Sequence, residues 1–296
     1  MVQLKTGAAY LNGRFLPLAE ARVSPLDRGF LYADGAYEMI PVYSRHAFRV
    51  DEHLRRLRHT LDGIRLADPH SDAEWKAIVE RLIADADFED QAVYIQITRG
   101  ADDQRDPCFP PGVPPTVFLF TSPLVRPTVA QRETGVAAIT APDIRWGRCD
   151  FKTTALLANV LARQLAADAG CAETIMLRDG YLTEGSSTNV FAVRDGVILT
   201  PPQDHLILPG ITSNVVLELA AAHRAPLEIR PVREEEMRMA DELWLTSSGK
   251  EILAVVTLDG RPVGQGANAG KPGPVTRRMH DWFCAYRDEV MRHGQR

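Results

Sequence analysis

Ile144-Arg145-Trp146-Gly147-Arg148-Cys149-Asp150-Phe151-Lys152-Thr153-Thr154 runs straight into the apolar helical pattern Ala155-Leu156-Leu157-Ala158-Asn159-Val160-Leu161-Ala162. A primary amine therefore stands just ahead of an element that packs. Only five of the chain's 34 basic residues are lysine and 29 are arginine, so guanidinium serves wherever a plain positive charge is enough. An amine can do one thing that a guanidinium cannot: lose its proton and attack a carbonyl to form a Schiff base. Lys152 is thus a candidate for carbonyl chemistry. The competing reading is a solvated side chain at a helix start, and the rest of the chain decides between them.

The bulk numbers exclude several classes. At 296 residues the chain can form one large or two medium domains, and its 45% hydrophobic and 25% charged composition is that of a soluble globular protein. No apolar run reaches the ~18 residues of a membrane span, and Met1-Val2-Gln3-Leu4-Lys5-Thr6-Gly7 has no signal-peptide apolar core. Cys108, Cys149, Cys171 and Cys284 are scattered, which fits reduced thiols in the cytosol. A net charge of −5, with acids interspersed among the arginines, argues against a nucleic-acid partner. The histidines lack metal-ligand spacing, and His53, beside a helical stripe, reads as a packed or capping residue.

Periodicity sets the layout. A short strand and turn occupies Ala8 to Phe15, and alternating large residues make Ala36 to Tyr43 a strand. Pro41 cannot donate to a ladder, so that strand is expected at an edge or with a bulge. Leu54, Leu57, Leu61 and Ile64 form one stripe of a helix from Val50 to Leu66, and a second helix is expected over Asp72 to Ala84. Ala92 to Thr98, Thr116 to Thr121, Val136 to Thr140, Glu173 to Leu177, Glu242 to Thr246 and Ile252 to Leu258 read as strands. Val190 to Val193 and Val197 to Thr200 form a hairpin across Asp195-Gly196. Thr153 to Ala169 and Val215 to Ala222 are expected helices. Ser122-Pro123-Leu124-Val125-Arg126-Pro127-Thr128 lacks periodicity and reads as a linker. The expected fold class is α/β (α+β): two mixed domains, a smaller one over 1–121 and a larger one over 129–296 carrying Lys152, joined by 122–128.

Four further stretches carry candidate ligand chemistry. In Tyr181-Leu182-Thr183-Glu184-Gly185-Ser186-Ser187-Thr188-Asn189-Val190 a glutamate ends a strand before a run of hydroxyls, either donors to a ligand or a polar turn with a surface carboxylate. Leu208-Pro209-Gly210-Ile211-Thr212-Ser213-Asn214 leads into a helix whose start has no acidic cap; its N–H groups suit an anion, with Thr212 or Ser213 as an ordinary cap the alternative. Thr246-Ser247-Ser248-Gly249-Lys250-Glu251 is a second donor-rich turn. Arg56, next to a stripe residue, can complete a phosphate clamp or lie on the helix surface. An amine for an aldehyde, a carboxylate for a ring nitrogen, and arginine with donor-rich turns for a phosphate are together what pyridoxal 5′-phosphate requires.

On these residues the chain resembles the fold-type IV pyridoxal-phosphate aminotransferases, most closely the bacterial D-amino-acid transaminases, with branched-chain aminotransferases as relatives. The resemblance runs through Asp27-Arg28-Gly29-Phe30, Asp34-Gly35-Ala36-Tyr37-Glu38, Tyr94-Ile95-Gln96-Ile97-Thr98-Arg99-Gly100, Asp143 to Lys152, Thr183 to Phe191 and Leu208 to Thr212. It implies that Lys152 holds the cofactor aldehyde and moves the proton at the substrate α-carbon, and that Glu184 faces the ring nitrogen. It further implies that Arg56, Ile211, Thr212, Ser247 and Ser248 hold the phosphate, that Leu208 supports the ring, and that Tyr37 lines the site. Relatives of this kind carry an arginine and, two positions on, a histidine for the substrate carboxylate; Arg105 matches the first with one extra loop residue, and Pro107 stands at the second. The implied activity is amino transfer from a D-amino acid such as D-alanine to a 2-oxo acid such as 2-oxoglutarate, by a homodimer. The alternatives are an L-branched-chain aminotransferase, an (R)-selective amine transaminase, an aminodeoxychorismate lyase and a non-catalytic binding protein.

Overall fold

Strands with period-two patterning and helices with 3.6-residue patterning occur in both of the compact units into which the computed structural model, describing residues 7–293, divides. The outer ends of the two expected domains, residues 1–6 and 294–296, lie outside the described residues. The first unit takes the chain through Leu124 together with Phe151–Leu156; the second takes Val125–Asp150 and the chain from Leu157 onward.

In the first unit the order is β1 (Ala8–Leu11), β2 (Arg14–Pro17), α1 (Arg28–Tyr32), β3 (Gly35–Tyr43), β4 (His46–Ala47), α2 (Val50–Gly63), α3 (Asp72–Asp85), β5 (Gln91–Thr98) and β6 (Thr116–Pro123). Its strands form one antiparallel sheet in the order β2-β1-β6-β5-β3-β4. Val93, Ile95 and Ile97 of β5 are buried at every second position, and with Ile40 they join Leu54, Leu57 and Leu61 of α2 and Trp75, Val79 and Leu82 of α3 in one core. On the outer edge of β3 the two-residue β4 pairs against Val42 and Tyr43, so Pro41 sits where no long strand needs its missing N–H. β6 continues through Pro123, paired with Gln91, and the Thr128 side chain caps the next helix. The irregular connection is therefore shorter at both ends than the stretch from Ser122 to Thr128.

The second unit contains α4 (Val129–Thr134), β7 (Val136–Pro142), α5 (Leu157–Asp168), β8 (Glu173–Arg178), β9 (Tyr181–Gly185), β10 (Asn189–Arg194), β11 (Val197–Thr200), α6 (Ile211–Ala222), β12 (Leu227–Ile229), α7 (Glu234–Arg238), β13 (Glu242–Ser247), β14 (Glu251–Leu258), β15 (Arg261–Pro262) and α8 (Pro274–His293). Its sheet runs β12-β11-β10-β13-β14-β7-β8-β9, with β15 paired to β14. Strand β7 lies parallel to β14 and β8, as does β12 to β11, and the remaining pairs are antiparallel. Asp195 and Gly196 have φ of 51° and 78°, which gives the tight hairpin its primed turn and sets Arg194 opposite Val197. Val190, Ala192, Leu243, Leu245, Leu253 and Val255 fill the core.

Two helix starts differ from expectation, for opposite reasons. α5 begins at Leu157 instead of Thr153, because the backbone of Thr153 and Thr154 is engaged by residues 33–36 of the first unit. α6 begins at Ile211 instead of Val215, because its polar first turn hides the apolar period while being buried. The long α8 was not anticipated: its polar positions, rich in arginine, mask a buried stripe that includes Val275, Met279 and Phe283.

Candidate active site

Lys152 is grouped with the first unit, although the sequence around it belongs to the C-terminal stretch, and hydrogen bonds explain why. The N–H of Tyr37 donates to the Lys152 carbonyl at 2.9 Å, and the N–H of Lys152 donates to Thr60 Oγ1 at 3.0 Å. Ala36 bridges Thr153, the N–H of Thr154 donates to the Gly35 carbonyl, and Thr154 Oγ1 donates to the Ala33 carbonyl at 2.8 Å. Residues 152–154 thus occupy the part of the β3 edge that β4 leaves open. Fixing the backbone on both sides fixes the direction of the side chain, and Lys152 Nζ stands 4.2 Å from the centre of the Tyr37 ring. That ring in turn stacks on Tyr94 at 5.8 Å, and burial pushes the Tyr94 hydroxyl up to about 12.

Beside Lys152 lies a buried triad from β3 and α2. Arg56 donates through Nε and Nη2 to the two oxygens of Glu38, at 2.7 and 2.8 Å, and His53 Nδ1 meets Glu38 at 2.8 Å. Burial acts to raise the Glu38 carboxyl, but the Arg56 charge and these bonds hold it far below the usual carboxylate range. His53 is driven down by burial against the pull of Glu38, with Arg56 and Lys152 adding to the downward push. It is the packed histidine the sequence suggested, and its Nε2 is buried without a hydrogen-bond partner. Arg56 is therefore neither a loose surface arginine nor unsupported: its guanidinium is oriented by Glu38. Arg105 lies exposed in the loop after β5, 5.3 Å over the Tyr32 ring, and among the described residues forms no ion pair with the neighbouring aspartates. That loop is tied down by Arg28, which donates to the carbonyls of Asp106 and Pro107.

In the second unit, Glu184 is the last residue but one of β9 and is buried, not the surface carboxylate of the simpler reading. It accepts from Arg145 Nη1, from Asn189 Nδ2 at 3.1 Å and from the Leu208 N–H at 3.2 Å. Arg145 is shared: its Nε and Nη2 donate to the two oxygens of Asp143 at 2.9 and 2.8 Å. Burial consequently outweighs the pull of Arg145, and the Glu184 carboxyl is pushed up to about 7, with Asp143 adding to the rise. Asn189 also donates to the Leu208 carbonyl at 2.9 Å, so one amide joins β10, Glu184 and the turn before α6. A Cβ on Gly210 would stand 1.9 Å from Asn189 Oδ1, which is why glycine is required there.

At Gly210 the helix α6 begins with no side-chain cap and no acid in its first turn, while Ile211, Thr212 and Ser213 are all buried. A buried, uncapped helix start leaves N–H groups seeking an acceptor, and an anion fits. Ser247 and Ser248 occupy the turn from β13 into β14, and the Lys250 N–H donates to Ser247 Oγ at 3.1 Å. The hydroxyls of Ser186, Ser187 and Thr188, possible ligand donors by sequence, instead donate to the buried carboxylate of Glu173. Sequence reasoning assigned no role to Thr60, Glu38, Arg145, Asp143 or Asn189. Several stand inside quoted motifs, yet their importance lies in pairings across the chain that no local pattern reveals.

A model of the amino-transferase class IV family matches residues 35–258. The D-alanine aminotransferase of Staphylococcus aureus (strain MW2) is 39% identical over 278 residues, 94% of this chain and 96% of that one. The enzyme of that name from Bacillus licheniformis is 38% identical over 268 residues, 90% of this chain and 93% of its own. Among solved structures, the branched-chain amino acid aminotransferase of Escherichia coli superposes with a TM-score of 0.87 at 26% identity, covering 95% of this chain and 94% of that one. With its sequence matched from β3 to the end of β14, this chain belongs to the class IV aminotransferases.

Proposed function

We propose that this chain is a D-amino-acid transaminase that moves an amino group from a donor such as D-alanine to a 2-oxo acid such as 2-oxoglutarate by a ping-pong route, with pyridoxal 5′-phosphate as its cofactor. The observation that carries the reading is Lys152, a primary amine held on both sides of its backbone by Tyr37 and Thr60. When bound, pyridoxal phosphate supplies an aldehyde that exchanges amino groups and a ring that draws electrons from the substrate α-carbon. Lys152 would hold the aldehyde through its amine and would move the proton at the substrate α-carbon. Glu184 receives the ring nitrogen, and its affinity for a proton near neutrality suits a group that shares one with that nitrogen. The amides of Ile211 and Thr212, the Ser247-Ser248 turn and Arg56 take the phosphate; Leu208 supports the ring, Tyr37 lines the lysine side, and Arg105 takes the substrate carboxylate.

The D-amino-acid choice is supported by the names and coverage of the Staphylococcus and Bacillus relatives. The absence of a histidine at Pro107 and the branched-chain likeness in structure keep an L-branched-chain activity as the second reading. Half-reactions decide. D-alanine should discharge the visible absorbance of the bound cofactor in the purified protein and fail to do so in Lys152→Ala. Discharge by L-leucine with none by any D-amino acid would overturn the D-selective reading. A homodimer working in the cytoplasm is part of the same proposal. One side of α5 supports it, because Leu157, Val160, Leu161 and Leu165 form an exposed apolar stripe at helical spacing. Among the described residues no helix is long and apolar enough to cross a membrane.

A further inference from the structure

Glu173, at the start of β8, is fully buried and collects donors from three places. Its Oε1 accepts from the N–H groups of Thr174 and Ser186, at 3.0 and 3.1 Å, and from Ser186 Oγ. Its Oε2 accepts from Thr188 Oγ1 at 3.0 Å, from Ser187 Oγ at 3.3 Å and from Lys250 Nζ at 2.8 Å. Burial works to raise this carboxyl, but the Lys250 charge and the Ser186 hydroxyl prevail and hold it below its usual range. Gly185, between Glu184 and this hydroxyl run, has no room for a side chain: a Cβ would lie 2.1 Å from Thr188 Oγ1 and 3.2 Å from Glu173.

Lys250 is one of the chain's five lysines, and both of its ends are used. Its ammonium reaches Glu173 while its backbone N–H donates to Ser247 Oγ. One ion pair therefore ties the start of β8, where Glu173 also gathers the hydroxyls that follow Glu184, to the turn that carries Ser247 and Ser248. A hydroxyl that accepts the Lys250 N–H keeps its own proton to donate, which sets Ser247 as a donor to an anion.

We propose that Glu173 and Lys250 are positioning residues for the cofactor phosphate: the Ser186-to-Thr188 run fixes Glu173, and Glu173 through Lys250 holds the Ser247-to-Lys250 turn in the arrangement that presents the donors of that turn. The inference rests on the pyridoxal-phosphate reading above and adds to it two residues that touch other protein groups and not the reacting atoms. Neither residue was picked out by sequence, because Glu173 is a plain strand residue and Lys250 a plain turn residue until the fold pairs them.

The test compares pyridoxal phosphate with pyridoxal, which lacks the phosphate, by titrating each into the full-length protein freed of cofactor and following its intrinsic fluorescence. Lys250→Met should weaken pyridoxal phosphate by about tenfold, the worth of one charge-assisted positioning contact, while leaving the pyridoxal dissociation constant unchanged. Lys250→Arg should restore most of the preference. Equal weakening of both compounds would mean a general structural role and overturn the proposal, as would unchanged binding of both. Should Lys250→Met fail to fold with Glu173 left unpaired, the Glu173→Gln/Lys250→Met double variant carries the same comparison with the same outcomes. If the unaltered protein binds neither compound, the cofactor reading itself fails and this inference falls with it.

Discussion

Glu38 and Glu184 are both buried carboxylates facing an arginine, yet one is held far below the usual carboxylate range and the other is pushed up to about 7. The difference lies in how the positive charge is divided. Glu38 has Arg56 in a two-bond grip with a bond to His53 besides, so its charge is fully answered. Glu184 has one bond from an arginine that gives two to Asp143, so the buried anion is only partly compensated. The same pair of residue types thus yields a permanent anion that orients a guanidinium in one unit and a carboxylate poised to exchange a proton in the other. Only the second arrangement suits a group meant to meet a ring nitrogen.

The largest effect expected from breaking this contrast comes at Glu38. Removing its charge takes from the buried Arg56 the carboxylate it grips with two bonds, and Glu38→Gln should cost about 3–5 kcal/mol of stability by chemical denaturation at pH 8. The same substitution at Glu184 should cost no stability at that pH and should raise it, by up to about 3 kcal/mol, because the charge it removes is already unfavourable where it sits. Equal losses at the two positions would show that both carboxylates are ordinary paired anions.

A second expectation sharpens the comparison through pH. The Glu184 carboxyl moves from its ordinary 4.5 to about 7 in the folded protein, so the folded state keeps this proton at pH values where the unfolded chain has lost it. Stability from this group is therefore complete below the ordinary value and falls as pH rises towards 7, by about 3 kcal/mol in total. In cofactor-free protein, the stability of the native chain relative to Glu184→Gln should decline by that amount from pH 4.5 to 7. A flat difference would place the Glu184 carboxyl at its ordinary value.

How much of this was legible beforehand follows from the range over which each feature acts. The Leu54-Leu57-Leu61 stripe, the β5 alternation and the Asp195-Gly196 turn are local, and they appear where their spacing put them. Lys152, Glu184 and the Gly210 turn could be singled out by residue type against local context. The partners that determine their chemistry could not, because Lys152 meets Thr60 across 92 positions and Arg145 meets Glu184 across 39. The start of α5 was misplaced for the same reason: its expected first residues form hydrogen bonds with a segment over a hundred residues away.

The smallest expected effect concerns Thr60, whose hydroxyl donates to the Arg56 carbonyl at 3.1 Å and accepts the Lys152 N–H at 3.0 Å. Valine has the same shape and neither function, so Thr60→Val, at a fully buried side chain, leaves the Lys152 N–H without its acceptor. A cost of about 1–2 kcal/mol in stability is expected. Because the freed backbone no longer aims the amine, the D-alanine half-reaction should also slow by about tenfold. Thr60→Ser keeps the hydroxyl and should recover most of both losses. Unlike the effect at Glu184, the stability loss at Thr60 involves no titrating group and should be the same at pH 6 and pH 8. A loss that instead varied with pH would tie Thr60 to the charge of the Glu38 triad, and the Lys152 backbone bond would no longer account for it.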